Sequence, residues 1–286
     1  MTDPRPNTDL MNANTIWQLY PTPAREVALD GLYLSHDLRA QHETLGRPFV
    51  YTNYVVSIDG RIAVPRPSGQ GMMVPKETSN DRDWRLFQEL AVQADCIISS
   101  GRYLRDYAEG KAQEILRVYD EPRFADLGRW RAERGLSRYP DLAVVSGSLD
   151  FPIPPFLTQE GRKVVVITHE AADETRATRL GQEGAQVIRA GESDVGGRPA
   201  IAALGELGYR TIYMATGPRV HHLLLADDVL DRLYTTVAHR LLGGQPFSSL
   251  VEGDLLRPAV GLRLQALYFD PHALDGLGQQ FVCYER

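Results

Sequence analysis

Three polar side chains, Asn53, Ser57 and Asp59, interrupt an otherwise apolar run from Arg47 to Ala63 in which Phe, Val, Tyr and Thr crowd together. That density of β-branched and aromatic residues reads as a strand, and Asp59-Gly60 reads as the turn that ends it. Two roles for the polar residues follow from the pattern, and both stand at this point. In one they cap a tight turn in which Gly60 takes a positive φ without a Cβ clash. In the other, a central strand delivers them to a pocket at its carboxyl end, where open α/β sheets bind ligands.

Two further stretches, Ser99-Ser100-Gly101-Arg102 and Thr216-Gly217-Pro218-Arg219, share a form: a short apolar run, then hydroxyl and glycine residues, then an arginine. Either alone reads as a plain turn. Together they suggest a split anion site, in which backbone N–H groups and guanidinium groups face a pyrophosphate. The fingerprints Gly-x-Gly-x-x-Gly and Gly-x-x-x-x-Gly-Lys-Ser/Thr are absent, so the standard Rossmann and P-loop readings lose support. No metal site is expected. His221 and His222 would point about 100° apart on a helix with no Cys or carboxylate cluster near them, and read as solvated or capping residues. His169 and His239 read as loop hydrogen-bonders, and neither a Gly-x-Ser-x-Gly elbow nor a zinc-deaminase signature is present.

The elements that must position these residues follow from the rest of the chain. Its 286 residues, 43% hydrophobic and 24% charged, suffice for a sizeable core in one large or two small domains. A net charge of −6 argues against a broad basic nucleic-acid surface. No apolar run approaches a membrane span, and the start lacks a signal-peptide core, so a cytoplasmic protein is expected. Cys96 and Cys283 read as buried hydrophobes, not a disulfide.

Residues 1 to about 14 read as a loose tail, and Trp17 to Leu34 as an ordered arm on the main body or a partner subunit. A Pro- and Gly-bearing loop from Val64 to Pro75 precedes N-cap candidates Thr78, Ser79 and Asn80 and a helix up to Ala94. Val118 to Tyr139 reads as a solvated excursion or irregular helix. Strands around Leu142 to Ser146, Lys163 to Thr168, Val187-Ile188 and Thr211 to Ala215 alternate with helices over Asp173 to Glu183 and Ile201 to Leu207. That alternation predicts a largely parallel sheet covered on both faces. Three closing strand signals, Leu233 to Ala238, Leu262 to Phe269 and Gln280 to Tyr284, are expected to add antiparallel strands at an edge.

The ordered set of segments resembles the reductase domain at the carboxyl end of bifunctional riboflavin-biosynthesis deaminase-reductases. Arg47 to Ala63 is similar to the family's opening strand, and Ala94-Asp95-Cys96-Ile97-Ile98 to the approach to its cofactor turn. Ile212 to Val220 lies where the family has a Glu-Gly-Gly-Pro-Thr-Leu type sequence, and Asp228 to Gly244 resembles its segment ending in Leu-Gly-Gly. The likeness covers roughly residues 47 to 286, behind a tail and arm at 1 to 46. It implies a dihydrofolate-reductase-like fold: a mixed, mainly parallel sheet flanked by helices, with antiparallel C-terminal strands. It also implies NADPH, a pyrimidine- or pterin-like acceptor and a homodimer; NADH is the alternative cofactor, and the charge and hydropathy above lead to no expected nucleic-acid or membrane partner.

Carried over residue by residue, the resemblance puts Asn53, Ser57, Asp59 and Thr216 on the substrate side. Ser100, Gly101, Arg102, Tyr103, Ser146, Thr168, Gly217, Pro218 and Arg219 fall to the cofactor. The chain departs from the pattern at Ala215, where the family has Glu, and at Tyr103, where it has Thr. Asp150 stands where a basic residue helps to hold the 2′-phosphate, a position at which a carboxylate repels it. The sequence therefore supports an NAD(P)H-dependent reductase of a pyrimidine, pterin or related heterocycle. Its alternatives are a non-catalytic nucleotide-binding dimer on the same scaffold and a domain whose arm recruits a partner protein.

Overall fold

The computed structural model describes residues 14–69, 71–112 and 114–286. In chain order its strands are β1 (Thr15–Tyr20), β2 (Arg25–Ala28), β3 (Phe49–Ser57), β4 (Val64–Pro65), β5 (Met72–Met73), β6 (Cys96–Ser100), β7 (Asp141–Val145), β8 (Val164–Thr168), β9 (Ala185–Arg189), β10 (Thr211–Met214), β11 (Arg232–Ala238), β12 (Arg263–Asp270) and β13 (Gln279–Glu285). The helices are α1 (Asp81–Ala91), α2 (Gly101–Ala108), α3 (Ala125–Glu133), α4 (Pro155–Gln159), α5 (Glu174–Gln182), α6 (Gly197–Glu206) and α7 (Pro218–Ala226). Among the described residues, 11 strands form one sheet in the order β2-β1-β12-β13-β11-β3-β10-β6-β7-β8-β9, and β4 pairs with β5 apart from it.

From β11 through β9 every neighbouring pair is parallel. The run Val164-Val165-Val166-Ile167-Thr168 is buried at all five positions, as a parallel strand covered on both faces must be. Phe49, Tyr51, Ile97 and Tyr213 face a core shared with α1 to α5, whereas Val50, Ile98, Ile212 and Met214 face one shared with α6 and α7. The expected mixed, mainly parallel architecture is therefore present.

Three expectations are corrected. The strand over Leu233 to Ala238, β11, pairs parallel to β3, because α7 is a crossover that returns the chain to the starting end of the sheet. Of the closing strands, β12 and β13 run antiparallel to both of their neighbours, whereas β11 is antiparallel to β13 alone. The stretch from 118 to 139 is packed, with Tyr119, Phe124, Leu127 and Tyr139 buried. Its charge is partly inside: the buried Arg131 guanidinium donates to Val92 O at 2.8 Å, Ala94 O at 2.7 Å and Ser137 O at 2.7 Å, closing the end of α1. His221 is buried too, donating Nδ1–H to Leu250 O at 2.7 Å.

The arm strands β1 and β2 extend the sheet beyond β12. The chain leaving them is held to α1 by Glu89, which accepts from Gly31 N at 2.6 Å, Tyr33 N at 2.9 Å and Arg85 Nε at 2.8 Å. His36 lies between the hydroxyls of Tyr234 at 2.8 Å and Tyr268 at 3.1 Å, and burial lowers it to about 4, so it sits there neutral. At the other end of β3, Asp59 ties the Asp-Gly turn to the loop after β11. Its carboxylate accepts from Ser57 Oγ at 2.5 Å, Gly243 N at 2.8 Å and Leu242 N at 3.1 Å, and pairs with Arg61 at 2.6 Å. The Ser57 and Gly243 bonds lead in lowering it to about 2.

Two outcomes follow. Glu89→Ala leaves two arm amides and a guanidinium short of an acceptor, and should cost about 3 kcal/mol or more in urea unfolding. Asp59→Ala should speed hydrogen exchange at the Leu242 and Gly243 amides. In the unmodified protein that tie is complete above the ordinary carboxylate range near pH 4 and is lost as the pH falls toward 2.

Candidate active site

A cleft opens where neighbouring parallel strands stop at different heights. Met214, the last residue of β10, lies abreast of Thr52 on one side and Ile98 on the other. β3 continues to Ser57 beside β11, so Asn53 stands at the lip of the gap that β10 leaves. Beyond β10 and β6 the chain turns at once into α7 and α2, which places two helix N-termini side by side at the carboxyl edge of the sheet. Ser100 caps α2 by accepting from Tyr103 N at 3.3 Å. Gly217 precedes Pro218 at the start of α7, and a Cβ built on it meets nothing within 4 Å. Its φ of −72° suits any residue, so what its missing side chain preserves is open space against the backbone.

The resulting cavity has a volume of about 1230 Å³. Its floor is Asn53, Tyr54 and Val55 of β3, with Ala215, Thr216, Gly217 and Pro218 after β10. α1 supplies Asp83, Trp84 and Phe87, α2 supplies Arg102, Arg105 and Asp106, and Gly71, Met72, Val74 and Lys76 come from the segment between β4 and α1. β11, which bonds Asp83, and β6, which leads into α2, lie three strands apart in the sheet, roughly 14 Å from strand to strand.

The α1 wall is rigidly built. Asn80 caps the helix, accepting from Arg82 N and Asp83 N at 3.1 Å, and donates to Gln279 on β13 at 2.8 Å. Arg82 is bonded to the fully buried Asp270 at 2.6 Å. Trp84 and Phe87 stack with centroids 4.6 Å apart, and Phe87 meets Tyr213 edge-on at 5.6 Å. The Tyr213 hydroxyl donates to Asn53 Oδ1, fixing the orientation of that amide. Asp83, 6% exposed, accepts from Thr236 Oγ1 of β11 at 2.5 Å. Burial raises its carboxyl to about 6, against the lowering effect of that bond.

Five of the sequence-derived residues line this cavity: Asn53, Arg102, Thr216, Gly217 and Pro218. Ser100 and Gly101 immediately precede Arg102, with Gly101 packed so that a Cβ would come within 2.7 Å of the Phe151 ring and 3.1 Å of Ser146 Oγ. Ser146 accepts from Leu149 N at 3.1 Å, Thr168 is fully buried, and the Tyr103 hydroxyl accepts from Ile115 N at 3.3 Å. Arg219 is exposed beyond the cavity lining. Ser57 and Asp59 are engaged with each other and the 242–243 loop, outside the lining.

Lys76, Asp83, Trp84, Phe87 and Arg105 were missed. The only local trace of Asp83 is a helix cap followed by acidic residues, a pattern that complements the helix dipole in any helix. A smaller hollow, of about 250 Å³, adjoins at Arg105 and is lined by Asp150, Phe151, Pro152, Arg176 and Arg179. Arg176 donates to Ser148 O at 2.9 Å and Arg179 to Phe151 O at 3.0 Å, so guanidiniums surround the loop that carries Asp150.

Comparison with known proteins places these features in a family. A Methanothermobacter thermautotrophicus protein named 2,5-diamino-6-ribosylamino-4(3H)-pyrimidinone 5′-phosphate reductase is 25% identical over 227 residues, 78% of this chain and 93% of that protein. A pyrimidine reductase-like protein from Corynebacterium diphtheriae shares the fold at a TM-score of 0.63 and 24% identity, over 83% of this chain and 91% of that one. The riboflavin biosynthesis reductase Rib7 of Saccharomyces cerevisiae shares it at 0.52 and 14% identity, over 89% and 98%. The model of the RibD C-terminal domain matches residues 48–268, from the first residues of the central strand to the middle of β12, and the chain belongs to that family.

Proposed function

We propose that this chain is an NAD(P)H-dependent reductase of a pyrimidine, with a pterin or related heterocycle as the wider class. The observation that carries the reading is one continuous cavity of about 1230 Å³ holding two helix N-termini on one side and an aromatic and carboxyl wall on the other. A single small ligand needs roughly 300–1,000 Å³, so a dinucleotide and a second flat molecule are both accommodated. The relative from Methanothermobacter, named for a pyrimidinone phosphate, supports the acceptor class.

The residues fit a nicotinamide dinucleotide. The α2 and α7 N-termini offer amide donors to a pyrophosphate, and Gly217 leaves room for its close approach. Arg105, Arg176 and Arg179 line the hollow beside Asp150, with Arg179 paired to Glu183 at 2.6 Å, and their cations are what would favour NADPH over NADH there. When bound, the dihydronicotinamide supplies a hydride. Trp84 and Phe87 present apolar faces to a flat ring, the Tyr213-held Asn53 orients it, and Lys76 and Arg102 supply cations for a phosphate on the substrate. Among the described residues no helix is long and apolar enough to cross a membrane. A cytoplasmic homodimer belongs to the proposal.

The test is fluorescence titration with NADPH and NADH, then cofactor oxidation over phosphorylated and free aminopyrimidines and pteridines. Saturable binding, tighter for NADPH, and oxidation with a pyrimidine are expected; binding of neither cofactor refutes the reading. Binding without oxidation by any heterocycle supports the non-catalytic alternative, which the neutral Ala215 on the cavity floor favours. Gly217→Ala should leave thermal stability unchanged and weaken NADPH by about tenfold, ~1.4 kcal/mol.

A further inference from the structure

The match to the family begins at residue 48, and the arm at residues 14–46 precedes it. That arm meets α1 along a single stripe. Arg82 donates to Thr15 O at 3.2 Å, Arg85 pairs with Asp30 at 3.4 Å, and Glu89 accepts from Gly31 N and Tyr33 N. One turn further on, Gln93 accepts from Leu38 N at 3.0 Å and donates to Tyr33 O at 2.9 Å. Arg39 closes the line on Gln93 O at 3.2 Å and on Asp95 at 2.6 Å. Spacings of three and four residues keep Arg82, Arg85, Glu89 and Gln93 on one side of the axis. Asp83, Trp84 and Phe87, which line the cavity, are centred roughly 180° away from them. α1 is therefore held between the arm behind it and the cavity in front.

The side of α1 that meets the arm is polar and dry. Glu89 and Gln93 are fully buried and Arg85 is nearly so. An apolar helix face can slide against its cover at small cost. A buried face whose carboxylate, amide and guanidinium groups are each matched to a particular arm atom has one register, because any shift leaves polar groups without partners or water. The arm braces the neighbouring strands as well. His36 joins the Tyr234 and Tyr268 hydroxyls, and the Tyr33 ring lies 4.6 Å from that of Tyr234. Tyr234 and Thr236 share one face of β11, and Thr236 is where that strand meets α1. α2 and α7 are held by other elements: Arg105 donates to Asp150 O, Gly101 packs on Phe151, and His221 donates to Leu250 O.

We propose that the arm is a positioning element for the acceptor side of the cavity, with Glu89, Gln93 and His36 as its positioning residues. The proposal rests on the reductase reading above. By fixing α1 from behind, the arm sets the distance from the Trp84 and Phe87 rings to the floor at Asn53, and so the alignment of a flat acceptor with the cofactor. Among the described residues the cavity lining contains none from the arm, so the arm acts only through α1 and β11. A misplacement of about 1 Å at a reacting centre is enough to cost on the order of 100-fold in rate.

The test uses the full chain with Gln93→Leu, which loosens the arm from α1, and His36→Phe, which loosens it from β11 and β12 without touching α1. With NADPH and a pyrimidine that turns over, kcat/KM for the acceptor should fall by about tenfold or more in each, while the NADPH Kd stays within about twofold. Hydrogen exchange should quicken at the amides of residues 84–90 and stay unchanged at those of 104–108 and 220–226. Leu204→Ala, a truncation in the core beneath α6, is the control for lost stability and should leave acceptor kcat/KM within about twofold. Where Gln93→Leu fails to fold, Gln93→Glu replaces it, since it loses the amide donor to Tyr33 O. A parallel fall in acceptor kcat/KM and NADPH affinity overturns the proposal. So does a fall in Leu204→Ala as large as that in the arm variants.

Calorimetry with a triaminopyrimidinone and no cofactor reads the acceptor wall without turnover. Binding weakened by about tenfold in both arm variants is the expected result, and equal binding in all three proteins overturns the role of the arm. Weakened binding in the variants, with no cofactor oxidation on any pyrimidine by the unmodified protein, refutes the reductase reading and leaves the arm as the support of a pyrimidine-binding wall. A protein that neither binds nor reduces any such ring refutes both.

Discussion

The parallel pairing of β3 with β10 is the constraint from which the site follows. A strand buried on both faces must satisfy its backbone groups through its neighbours, and β3 does so with β10 along its first half and β11 along its whole second half. Once β10 stops at Met214, the side of β3 from Asn53 onward faces a gap and not a strand. β11 continues to hold the opposite edge of β3 through Ser57, so the strand stays in the sheet while its edge on the gap side is open to the cavity. The gap also lies between two helix starts, so positive backbone dipoles and an apolar floor share one opening.

α1 converts that opening into a chemical environment. The helix is fixed at its start by Asn80 with Gln279 and by Arg82 with Asp270, and at its end by the buried Arg131. Glu89 fastens it to the arm. These are bonds to buried partners, worth more than surface pairs because a broken one leaves a polar group without water. Their effect is to hold Asp83, a carboxyl that would ordinarily turn to solvent, against Thr236 and two aromatic rings. Structural and chemical roles are thus divided along one helix: Arg82, Arg85 and Glu89 anchor it, and Asp83, Trp84 and Phe87 face the cavity.

The opening strand shows how one motif divides between the two roles that its pattern allows. Asn53 is at the cavity, held by Tyr213, whereas Ser57 and Asp59 serve the turn and the loop after β11. Four residues of extended chain span about 13 Å, so Asn53 and Ser57 stand far enough apart to meet different neighbours. Spacing within a strand gives the face of each side chain but not where the adjacent strand ends.

The alternation of apolar runs with helical stretches was enough to determine a mainly parallel, doubly covered sheet, because each parallel crossover needs its own helix and each buried strand its own apolar run. The two Gly-bearing strand ends were legible for the same reason, since a turn from strand to helix leaves its mark within four residues. The direction of β11 was not, because it depends on which end of the sheet the chain reaches after α7. The packing of residues 118 to 139 was hidden by their charge, which Arg131 satisfies with carbonyls far away in sequence. Asp83 was hidden most completely. Its character is set by β11, about 150 residues later, whose Thr236 is its only side-chain partner among the described residues, and by burial that only the assembled sheet and helix produce.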